Sequence, residues 1–496
     1  MATSPHPPDH PPRELSGTEY DVVVVGAGPV GENVADYVVR GGLTAVVVEA
    51  ELVGGECSYW ACIPSKALLR PGDARDAAVG LDGVRQAVTG GLDVAAVLAR
   101  RDAFVKHFDD AGQVGWLDGI GVPLVRGTGR LSGVREVTVT GAAGDTVTLR
   151  ARHAVAVCTG SDASLPPVPG LADVGAWDSR DATSATAAPG RLLVLGGGVV
   201  GVEMATAWAS LGSAVTLLQR GPRILASAEP EAGELVAAAM RERGIDVRTG
   251  VQVTAARREP DGTVVVTTAD GEVRGDELLV AAGRRPRTDD LGLDVVGLQP
   301  GHTLTTDDSL LVEGVDGGWL YAVGDVNGRA QLTHQGKYQG RACGQVIAAR
   351  ARGNGDAQGP APWSRFTATA DDGAVPQVVF SSPQVASVGL TEDAAVERGV
   401  RVWTAEQDLG AVAGAALLRD GYAGWAKLVV DGDRRVLVGA TFVGPDVAEL
   451  LHAATVAVVG EVPIDRLWHA VPSFPTVSEV WLRLLDTLMH RLGWAV

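Results

Sequence analysis

Residues 21–50 of this chain read DVVVVGAGPVGENVADYVVRGGLTAVVVEA, and residues 191–220 repeat the pattern as RLLVLGGGVVGVEMATAWASLGSAVTLLQR. Each stretch predicts a buried strand, a G-x-G-x-x-G turn, a helix rich in small residues and a second apolar strand. A lone glycine motif is weak evidence, but two copies in the right context strongly predict a βαβ nucleotide-binding unit used twice. The motif glycines are Gly26, Gly28 and Gly31 in the first copy and Gly196, Gly198 and Gly201 in the second.

Each glycine of this motif has its own physical task. The first permits the tight turn, the second lets a pyrophosphate approach the backbone, and the third lets helix and strand pack closely. The phosphate then lies at the helix N-terminus. The second strand of each copy ends at the equivalent position, which is Glu49 in the first copy and Gln219 in the second.

The rest of the chain predicts an α/β protein with appended β-hairpins. Residues 136–160 and 251–273 alternate apolar and polar side chains around turns, which is typical of antiparallel hairpins. Residues 66–118 predict mostly helix, and residues 376–496 predict an α+β domain. The stretch 351–375 is rich in Gly, Ala and Asp and predicts a linker.

Composition limits the classes of function. A length of 496 residues suggests about three domains. The formal net charge of −18 argues against binding nucleic acid or an anionic membrane. The Pro- and His-rich N-terminus lacks the apolar segment of a signal peptide, and we interpret it as a disordered tail rather than a metal-binding tract. With few cysteines and no apolar run long enough for a membrane span, we expect a cytoplasmic protein.

Two cysteines five positions apart, Cys57 and Cys62, lie in GGECSYWACIPSKALL. On one continuous helix their side chains would point about 140° apart, so Cys57 must precede the helix in which Pro64 occupies the first turn. In a reducing compartment such a pair is more plausibly redox-active than structural. A zinc site is the alternative, but Cys158 and Cys343 are isolated in other segments.

These motifs together resemble the flavin-dependent pyridine nucleotide–disulfide oxidoreductases, the family of dihydrolipoamide dehydrogenase, glutathione reductase and mercuric reductase. The resemblance covers about residues 19–485. It rests on segments in the family's order, namely GAGPVG (26–31), GGECSYWACIPSK (54–66), CTGS (158–161), GGGVVGVE (196–203), AAGRRP (281–286), YAVGD (321–325), QLTHQGKYQG (331–340) and PTVSE (475–479).

The resemblance implies FAD in the first βαβ unit and a nicotinamide nucleotide in the second. Glu49 would bind the adenosine ribose, Gly127 would lie near the adenine, and Asp325 would accept hydrogen bonds from the ribityl chain. Thr159 and Gly160 would mark the point at which the chain leaves the FAD domain. The nicotinamide nucleotide would be bound by residues that include Gly196, Gly198, Gly201 and Gly283.

The resemblance also implies a path for electrons. Cys62 would be the sulfur nearest the flavin and Cys57 the outer sulfur that attacks the acceptor, while Lys66 and Glu203 would pair near flavin N5. A cation there stabilises negative charge on a reduced flavin. Hydride would pass from the nicotinamide to FAD, and the reduced flavin would open the Cys57–Cys62 disulfide.

Three departures from the family pattern concern the acceptor. In alignment with Pro475 and Glu479, the position of the family's catalytic histidine, which acts across the dimer interface, is Phe474, a residue that cannot transfer a proton. His469 is out of register and is a candidate for a displaced base, although a capping or core role is the simpler interpretation.

The other two departures are a missing cysteine pair and an aromatic redox loop. The C-terminal cysteines of mercuric reductases are absent, which argues against a mercury role. Tyr59 and Trp60 could form an aromatic wall at the outer sulfur with Phe474 and Trp468, or could serve ordinary packing.

The second repeat favours NADPH over NADH. Its strand ends in Gln219 rather than an acid, and Arg220 and Arg223 follow. An acid would repel a 2′-phosphate, whereas two guanidinium groups suit one. One neutral substitution still leaves NADH possible.

The predicted protein is a homodimeric oxidoreductase that passes electrons from NAD(P)H through FAD and Cys57–Cys62 to a disulfide or other small acceptor other than lipoamide or glutathione. Alternatives are a quinone or diaphorase-type reductase, a dihydrolipoamide dehydrogenase with a displaced base, and a non-enzymatic FAD-carrying subunit. The predicted division is a disordered tail (1–17), an FAD-binding domain in two parts (18–160 and 285–350), an NAD(P)-binding domain (161–284), a linker (351–375) and a C-terminal dimerisation domain (376–496).

Overall fold

A computed structural model describes residues 17–491 and residue 493. All but the last residue of the predicted N-terminal tail lies outside the described residues. The chain divides into two compact units. The first unit takes its described residues from Met1–Pro64, Asp102–Ser164 and Arg284–Asp371, and the second takes them from Ser65–Arg101, Leu165–Gly283 and Asp372–Val496.

Strands alternate with helices around the two glycine motifs and follow one another in runs elsewhere. They are β1 (Glu19–Val25), β2 (Ala45–Glu49), β3 (Leu124–Arg126), β4 (Thr128–Gly133), β5 (Glu136–Thr140), β6 (Thr146–Val157), β7 (Ser161–Ala163), β8 (Arg191–Leu195), β9 (Ala214–Gln219), β10 (Asp246–Thr249), β11 (Val253–Arg258), β12 (Val264–Thr268), β13 (Gly271–Gly275), β14 (Glu277–Val280), β15 (Arg284–Pro286), β16 (Leu320–Ala322), β17 (Pro376–Val379), β18 (Gln384–Gly389), β19 (Val402–Asp408), β20 (Trp425–Asp431) and β21 (Val436–Gly444).

The α-helices range from single turns to a helix of 19 residues. They are α1 (Pro29–Arg40), α2 (Gly55–Tyr59), α3 (Cys62–Val79), α4 (Val94–Phe104), α5 (Ala111–Gly119), α6 (Ser179–Ser184), α7 (Val199–Ser210), α8 (Pro230–Glu242), α9 (Thr333–Ala351), α10 (Glu392–Glu397), α11 (Ala413–Leu418), α12 (Leu451–Val459), α13 (Ile464–Leu467) and α14 (Val480–Arg491).

The first unit is built on a seven-stranded sheet in the order β3-β2-β1-β6-β5-β4, with β16 also paired to β6. Strands β1, β2, β3 and β16 run parallel to their neighbours, whereas β4 and β5 form the antiparallel extension predicted from residues 136–160. Strand β6 is long enough to serve both parts, because its first residues pair with β5 and its last residues pair with β1 and β16.

The second unit contains three sheets. The order β10-β9-β8-β14 is parallel throughout, and β11-β12-β13 form the antiparallel meander predicted from residues 251–273. The C-terminal segment forms an antiparallel sheet in the order β17-β18-β21-β20-β19. The predicted fold class, with two Rossmann-like domains and a C-terminal α+β domain, is therefore confirmed.

The two glycine motifs pack in the same way. A Cβ on Gly31 would stand 1.9 Å from the Gly26 carbonyl oxygen, and a Cβ on Gly201 would stand 1.9 Å from that of Gly196. Only glycine allows helix and strand to approach this closely, so the role of the third glycine holds in both copies.

Part of the segment predicted as a linker is packed. Ala357, Phe366 and Ala368 are buried in the core of the first unit, on the side that also buries α9 residues such as Val346. Short 3-10 turns at Gly355–Ala357 and Thr369–Asp371 hold the segment there. Its Gly and Asp content therefore reflects these tight turns.

Candidate functional site

The glycine turn between β1 and α1 leaves room for a ligand at its second glycine. An added Cβ on Gly28 would meet only the Cα of Gly55, at 4.0 Å, whereas one on Gly26 would stand 2.4 Å from the Cys158 carbonyl oxygen. The side chain of Glu49 closes the turn, since Ala27 N–H donates to Glu49 Oε2 at 2.7 Å. Burial raises the pKa of Glu49.

The other candidate FAD residues lie in the same unit. Asp325 begins the 3-10 turn after β16, and its Oδ2 accepts a hydrogen bond from Ser161 Oγ at 2.5 Å. Thr159 Oγ1 donates to the Arg287 carbonyl oxygen at 2.9 Å. Gly160 has a φ of +72°, and Gly127, with a φ of +148°, turns the chain between β3 and β4. Thr159, Gly160 and Asp325 follow the ends of β6 and β16, whereas Gly127 N–H donates to the Glu49 carbonyl oxygen at the end of β2, at 2.9 Å.

The two redox cysteines lie on different helices. Cys57 is in the one-turn helix α2 and Cys62 is the first residue of α3, with Pro64 in its first turn as predicted. The break at Trp60 and Ala61 brings the cysteines together, and their sulfurs are hydrogen-bonding partners. Hydrogen bonding to Cys62, followed by burial, raises the pKa of the Cys57 thiol.

The α9 helix brings a hydroxyl and an ammonium to this pair. Cys62 Sγ lies 3.3 Å from Thr333 Oγ1. Thr333 also hydrogen-bonds Cys57, and the charge of Lys337 acts on the same thiol, both lowering its pKa. Thr333 and Lys337 are four residues apart on α9 and so share a face of that helix.

The aromatic residues of the redox loop pack inward. Tyr59 and Trp60 are almost fully buried and form a small core with Leu52, Val105 and Phe108. Their rings meet edge-on with centroids 5.7 Å apart. The packing interpretation therefore accounts for Trp60, so its use as a wall at the outer sulfur is not supported.

Tyr59 also lines a cavity of about 440 Å³ beside α2 and α5. One wall is a left-handed turn, because Lys106, His107 and Phe108 all have positive φ angles between 53° and 61°. Such backbone is costly for residues other than glycine. The remaining lining residues are Ser58, Ile63, Phe104, Val105, Asp109, Gly112 and Gln113.

In the second unit, Lys66 and Glu203 form an ion pair. Lys66 Nζ donates to Glu203 Oε2 at 2.7 Å, and Phe380 N–H donates to Glu203 Oε1 at 2.9 Å. Lys66 Nζ also lies 4.8 Å from the centre of the Phe380 ring. The Glu203 carboxylate, 5% exposed, is thus held by a cation and a backbone donor. This is the pair that the resemblance implied.

The second glycine turn reproduces the first with an amide in place of the carboxylate. Gly197 N–H donates to Gln219 Oε1 at 2.9 Å, and a Cβ on Gly198 would have open space. Arg220 is exposed. Arg223 Nη2 donates to the Ala226 carbonyl oxygen at 3.2 Å, and its Nε is buried without a hydrogen-bond partner among the described residues. Gly283 has a φ of +129°.

The next candidate residues lie in the C-terminal segment, where Phe474 occupies the position of the family's catalytic histidine. Phe474 is 74% exposed. His469 is also exposed, with its ring edge-on to Trp468 at 5.1 Å, so the core interpretation of His469 is wrong. Glu479 Oε1 lies 3.6 Å from Arg483, and its Oε2 is buried without a hydrogen-bond partner among the residues that the structure describes.

Sequence reasoning missed Thr333 and Lys337, which act on the cysteines, and Glu32, on which the Lys337 charge also acts. Thr333 and Lys337 lie inside the quoted motif QLTHQGKYQG, but nothing in its letters shows which residues face the sulfurs. Glu32 directly follows the third glycine of the first motif. A polar residue there, where the second copy has Val202, is the signal that could have found it.

Comparison with known proteins defines the class. The sequence profile of the pyridine nucleotide-disulphide oxidoreductases matches residues 20–340, and that of their dimerisation domain matches residues 375–484. The chain belongs to this family. It is therefore an FAD-dependent oxidoreductase that uses a pyridine nucleotide and carries a dimerisation domain.

Individual relatives cover nearly the whole chain. It is 34% identical over 476 residues to dihydrolipoyl dehydrogenase of Thermus scotoductus, with 95% of this chain and 97% of the relative covered. It is 33% identical to mercuric reductase of Streptomyces lividans, with 91% and 93% covered. The flavoprotein disulfide reductase RclA from Escherichia coli shares the fold, with a TM-score of 0.80, 22% identity, and 95% and 100% covered.

The residues present fit FAD. Gly28 leaves the backbone approachable where a pyrophosphate would lie, and Glu49 presents a carboxylate at the end of β2, where a ribose diol would bind. Within residues 17–491 and 493, none of the helices combines the length and apolar character needed to cross a membrane. The same residues contain no group of three or more His, Cys, Asp or Glu side chains suited to a metal ion.

Proposed function

We propose that this enzyme uses NADPH to reduce a disulfide acceptor at the Cys57–Cys62 pair. The observation that carries the proposal is the arrangement of both sulfurs as hydrogen-bonding partners of each other and of Thr333, with the Lys337 charge acting on Cys57. Thr333 and the Lys337 charge oppose the rise in the Cys57 pKa that Cys62 and burial cause, and so help to form the thiolate, which is the nucleophile in thiol–disulfide exchange.

FAD, when bound, supplies the centre that accepts hydride from the nicotinamide and passes an electron pair to the disulfide. Gly26, Gly28, Gly31 and Glu49 would hold its adenosine diphosphate half. Gly127, Thr159, Gly160 and Asp325 would complete that site. Lys66, held by Glu203, would provide positive charge towards the isoalloxazine.

The nucleotide preference rests on the second glycine turn. Gln219 occupies the place of Glu49 and makes the equivalent hydrogen bond to the turn, so a carboxylate is missing where the ribose would lie. Arg220 and Arg223, with an unsatisfied Nε on the latter, would bind a 2′-phosphate. Gly196, Gly198, Gly201 and Gly283 would shape the rest of the NADPH site.

The acceptor is proposed to be neither lipoamide nor glutathione disulfide. Phe474 offers no proton to a leaving thiolate, and a positioned acid or base is typically worth about 10²–10⁴-fold in rate. Glu479, deprived of a histidine partner, would contact water or the acceptor. We further propose that the enzyme acts as a cytoplasmic homodimer, with the predicted domain boundaries.

Steady-state turnover on a disulfide panel and a quinone panel tests the proposal. Cys57→Ser is expected to abolish reduction of every disulfide and to leave reduction of the flavin by NADPH intact. The matched control is Cys343→Ser, since Cys343 is fully buried in the core of the first unit. Quinone turnover that survives Cys57→Ser, combined with no disulfide turnover by the wild type, would contradict the proposal and favour a diaphorase.

A further inference from the structure

The carboxyl group of Glu32 is in an unusual environment. Glu32 lies in the first turn of α1, where acidic residues are ordinarily solvated. Here the side chain is largely shielded, and its Oε1 is buried without a hydrogen-bond partner among the described residues. Burying an unsatisfied carboxyl oxygen costs free energy, so this position calls for an explanation.

The duplicated unit shows that the fold itself does not require this carboxyl. Val202 follows the third glycine of the second motif, as Glu32 follows that of the first, and Val202 is fully buried in α7. An apolar side chain therefore satisfies the same helix position in the same supersecondary unit. The carboxyl group at residue 32 serves something other than packing.

Helix α1 is packed against both elements that carry the thiol chemistry. Gly54 N–H donates to the Ala27 carbonyl oxygen at 2.8 Å, and a Cβ on Gly55 would stand 2.9 Å from Gly28 Cα, so α2 adjoins the start of α1. On its other side α1 meets α9, where a Cβ on Gly340 would stand 2.9 Å from the Val30 carbonyl oxygen.

Lys337 links the carboxyl to the outer sulfur. Its ammonium acts on both Glu32 and Cys57, lowering the pKa of each. The other charged or titratable groups that face Glu32 are Glu49, at the end of β2, and Tyr59, on α2. The net outcome is set by burial, which raises the pKa of Glu32 to about 7. A carboxyl with that pKa both gives up and takes up protons at neutral pH.

We propose that Glu32 is the group that donates and recovers the proton in disulfide reduction at Cys57, in the place that the family gives to a histidine from the partner subunit. This rests on the proposed function. The Cys57 thiolate attacks one sulfur of an aliphatic disulfide, forming a mixed disulfide and releasing a thiolate, which takes the Glu32 proton and leaves as a thiol.

The Cys62 thiolate then attacks the Cys57 sulfur. The Cys57–Cys62 disulfide re-forms, and the second half of the acceptor leaves as a thiolate that takes up another proton. The two electrons come from the nicotinamide nucleotide, and Glu32 is reprotonated from water. Two protons and two electrons convert one disulfide into two thiols.

Two acceptors that differ in their need for a proton test the proposal. 2-Hydroxyethyl disulfide releases a basic alkyl thiolate, whereas 5,5′-dithiobis(2-nitrobenzoate) releases an aryl thiolate that is stable at neutral pH. Glu32→Gln is expected to slow the alkyl disulfide about 100-fold and the aryl disulfide less than about twofold. Equal slowing with both acceptors, or none with either, would overturn the role of Glu32.

Glu231→Gln is the matched control. Glu231 also lies in the first turn of a helix, α8, with a buried carboxyl oxygen that has no hydrogen-bond partner among the described residues. It belongs to the second unit, and its replacement is expected to change neither rate. Glu32→Asp is expected to recover part of the alkyl rate.

A second measurement needs no acceptor and so separates this proposal from the proposed function. In the reduced protein, the rate at which iodoacetamide alkylates Cys57, followed by peptide mass spectrometry, is expected to show an inflection near pH 7, where Glu32 ionises and offsets the Lys337 charge. Glu32→Gln removes that inflection and Glu231→Gln retains it. If the inflection near pH 7 persists in Glu32→Gln, the proposed role of Glu32 is refuted, even if Cys57 proves essential for turnover.

Discussion

Replacing Lys66 with methionine tests how the Glu203 carboxylate is stabilised. The carboxylate is 5% exposed and accepts one hydrogen bond from Lys66 Nζ and one from Phe380 N–H. Removing one partner of a buried ion pair costs about 3–5 kcal/mol. Lys66 itself is 36% exposed, so water reaches its end of the ion pair. We therefore expect Lys66→Met to lower the free energy of unfolding by a smaller amount, about 2–3 kcal/mol.

The double variant isolates the charge. In Glu203→Gln the amide oxygen still accepts from Phe380 N–H, and Lys66 can turn towards water, so we expect a loss of only about 1 kcal/mol. Lys66→Met combined with Glu203→Gln buries no net charge and is expected to be more stable than Lys66→Met alone. The pair then shows a coupling of about 1–2 kcal/mol in a double-mutant cycle.

The assay is urea unfolding of the second unit, followed by tryptophan fluorescence in the full chain. Trp208 is fully buried in that unit and reports its unfolding. The same variants are then mixed with NADPH in a stopped-flow instrument, where Lys66→Met is expected to slow reduction of the flavin. A loss below about 0.5 kcal/mol for Lys66→Met, or zero coupling, would refute the reasoning, because the carboxylate would then be satisfied without the lysine.

Four further predictions follow from individual contacts. Each of two variants, Gln219→Glu and Arg223→Ala, is expected to lower kcat/KM for NADPH relative to NADH by about tenfold. A wild-type enzyme that prefers NADH would contradict the proposed preference for NADPH. Reduction by one equivalent of dithionite is expected to produce a long-wavelength absorption band that Cys62→Ser abolishes. If the flavin absorption bleaches directly without this band, the Cys57–Cys62 pair is structural and not redox-active. Lipoamide and glutathione disulfide are expected to be poor substrates, and efficient lipoamide turnover unaffected by His469→Ala would be the contrary result. Burial raises the pKa of Glu32 to about 7, so the native state binds more protons than the unfolded state above about pH 4.3. The free energy of unfolding should therefore fall as pH rises to 7. Urea titrations at pH 5 and 8 are expected to show that Glu32→Gln removes up to about 3 kcal/mol of this fall.

The fold was predictable because its signals are local. The glycine motifs, the apolar strands beside them and the hairpins at residues 136–160 and 251–273 each depend on residues close together in sequence. The position of Cys57 before α3 followed from helix geometry alone. The packing of Phe366 did not, since an isolated aromatic residue in a Gly- and Ala-rich stretch carries no periodicity.

The surroundings of the sulfurs were less predictable because packing assembles them from distant segments. Thr333 reaches Cys62 across 271 residues of sequence. The inward direction of Trp60 depends on Val105 and Phe108, which come from another segment. No spacing rule connects these residues, so the sequence could supply their chemical types but not their contacts.

The duplicated unit offers a way to find functional groups that contacts alone do not reveal. Residues that both copies share, such as Gly31 and Gly201, serve the common turn and its packing. A position at which one copy is polar where the other is apolar must be explained by something outside that common structure. A charged residue opposite a neutral one calls for the same kind of explanation, and Glu203, opposite the neutral Asn33, has it in Lys66. Glu32, opposite Val202, has no protein partner for its buried oxygen among the described residues, and it is the position at which we propose proton exchange with the acceptor.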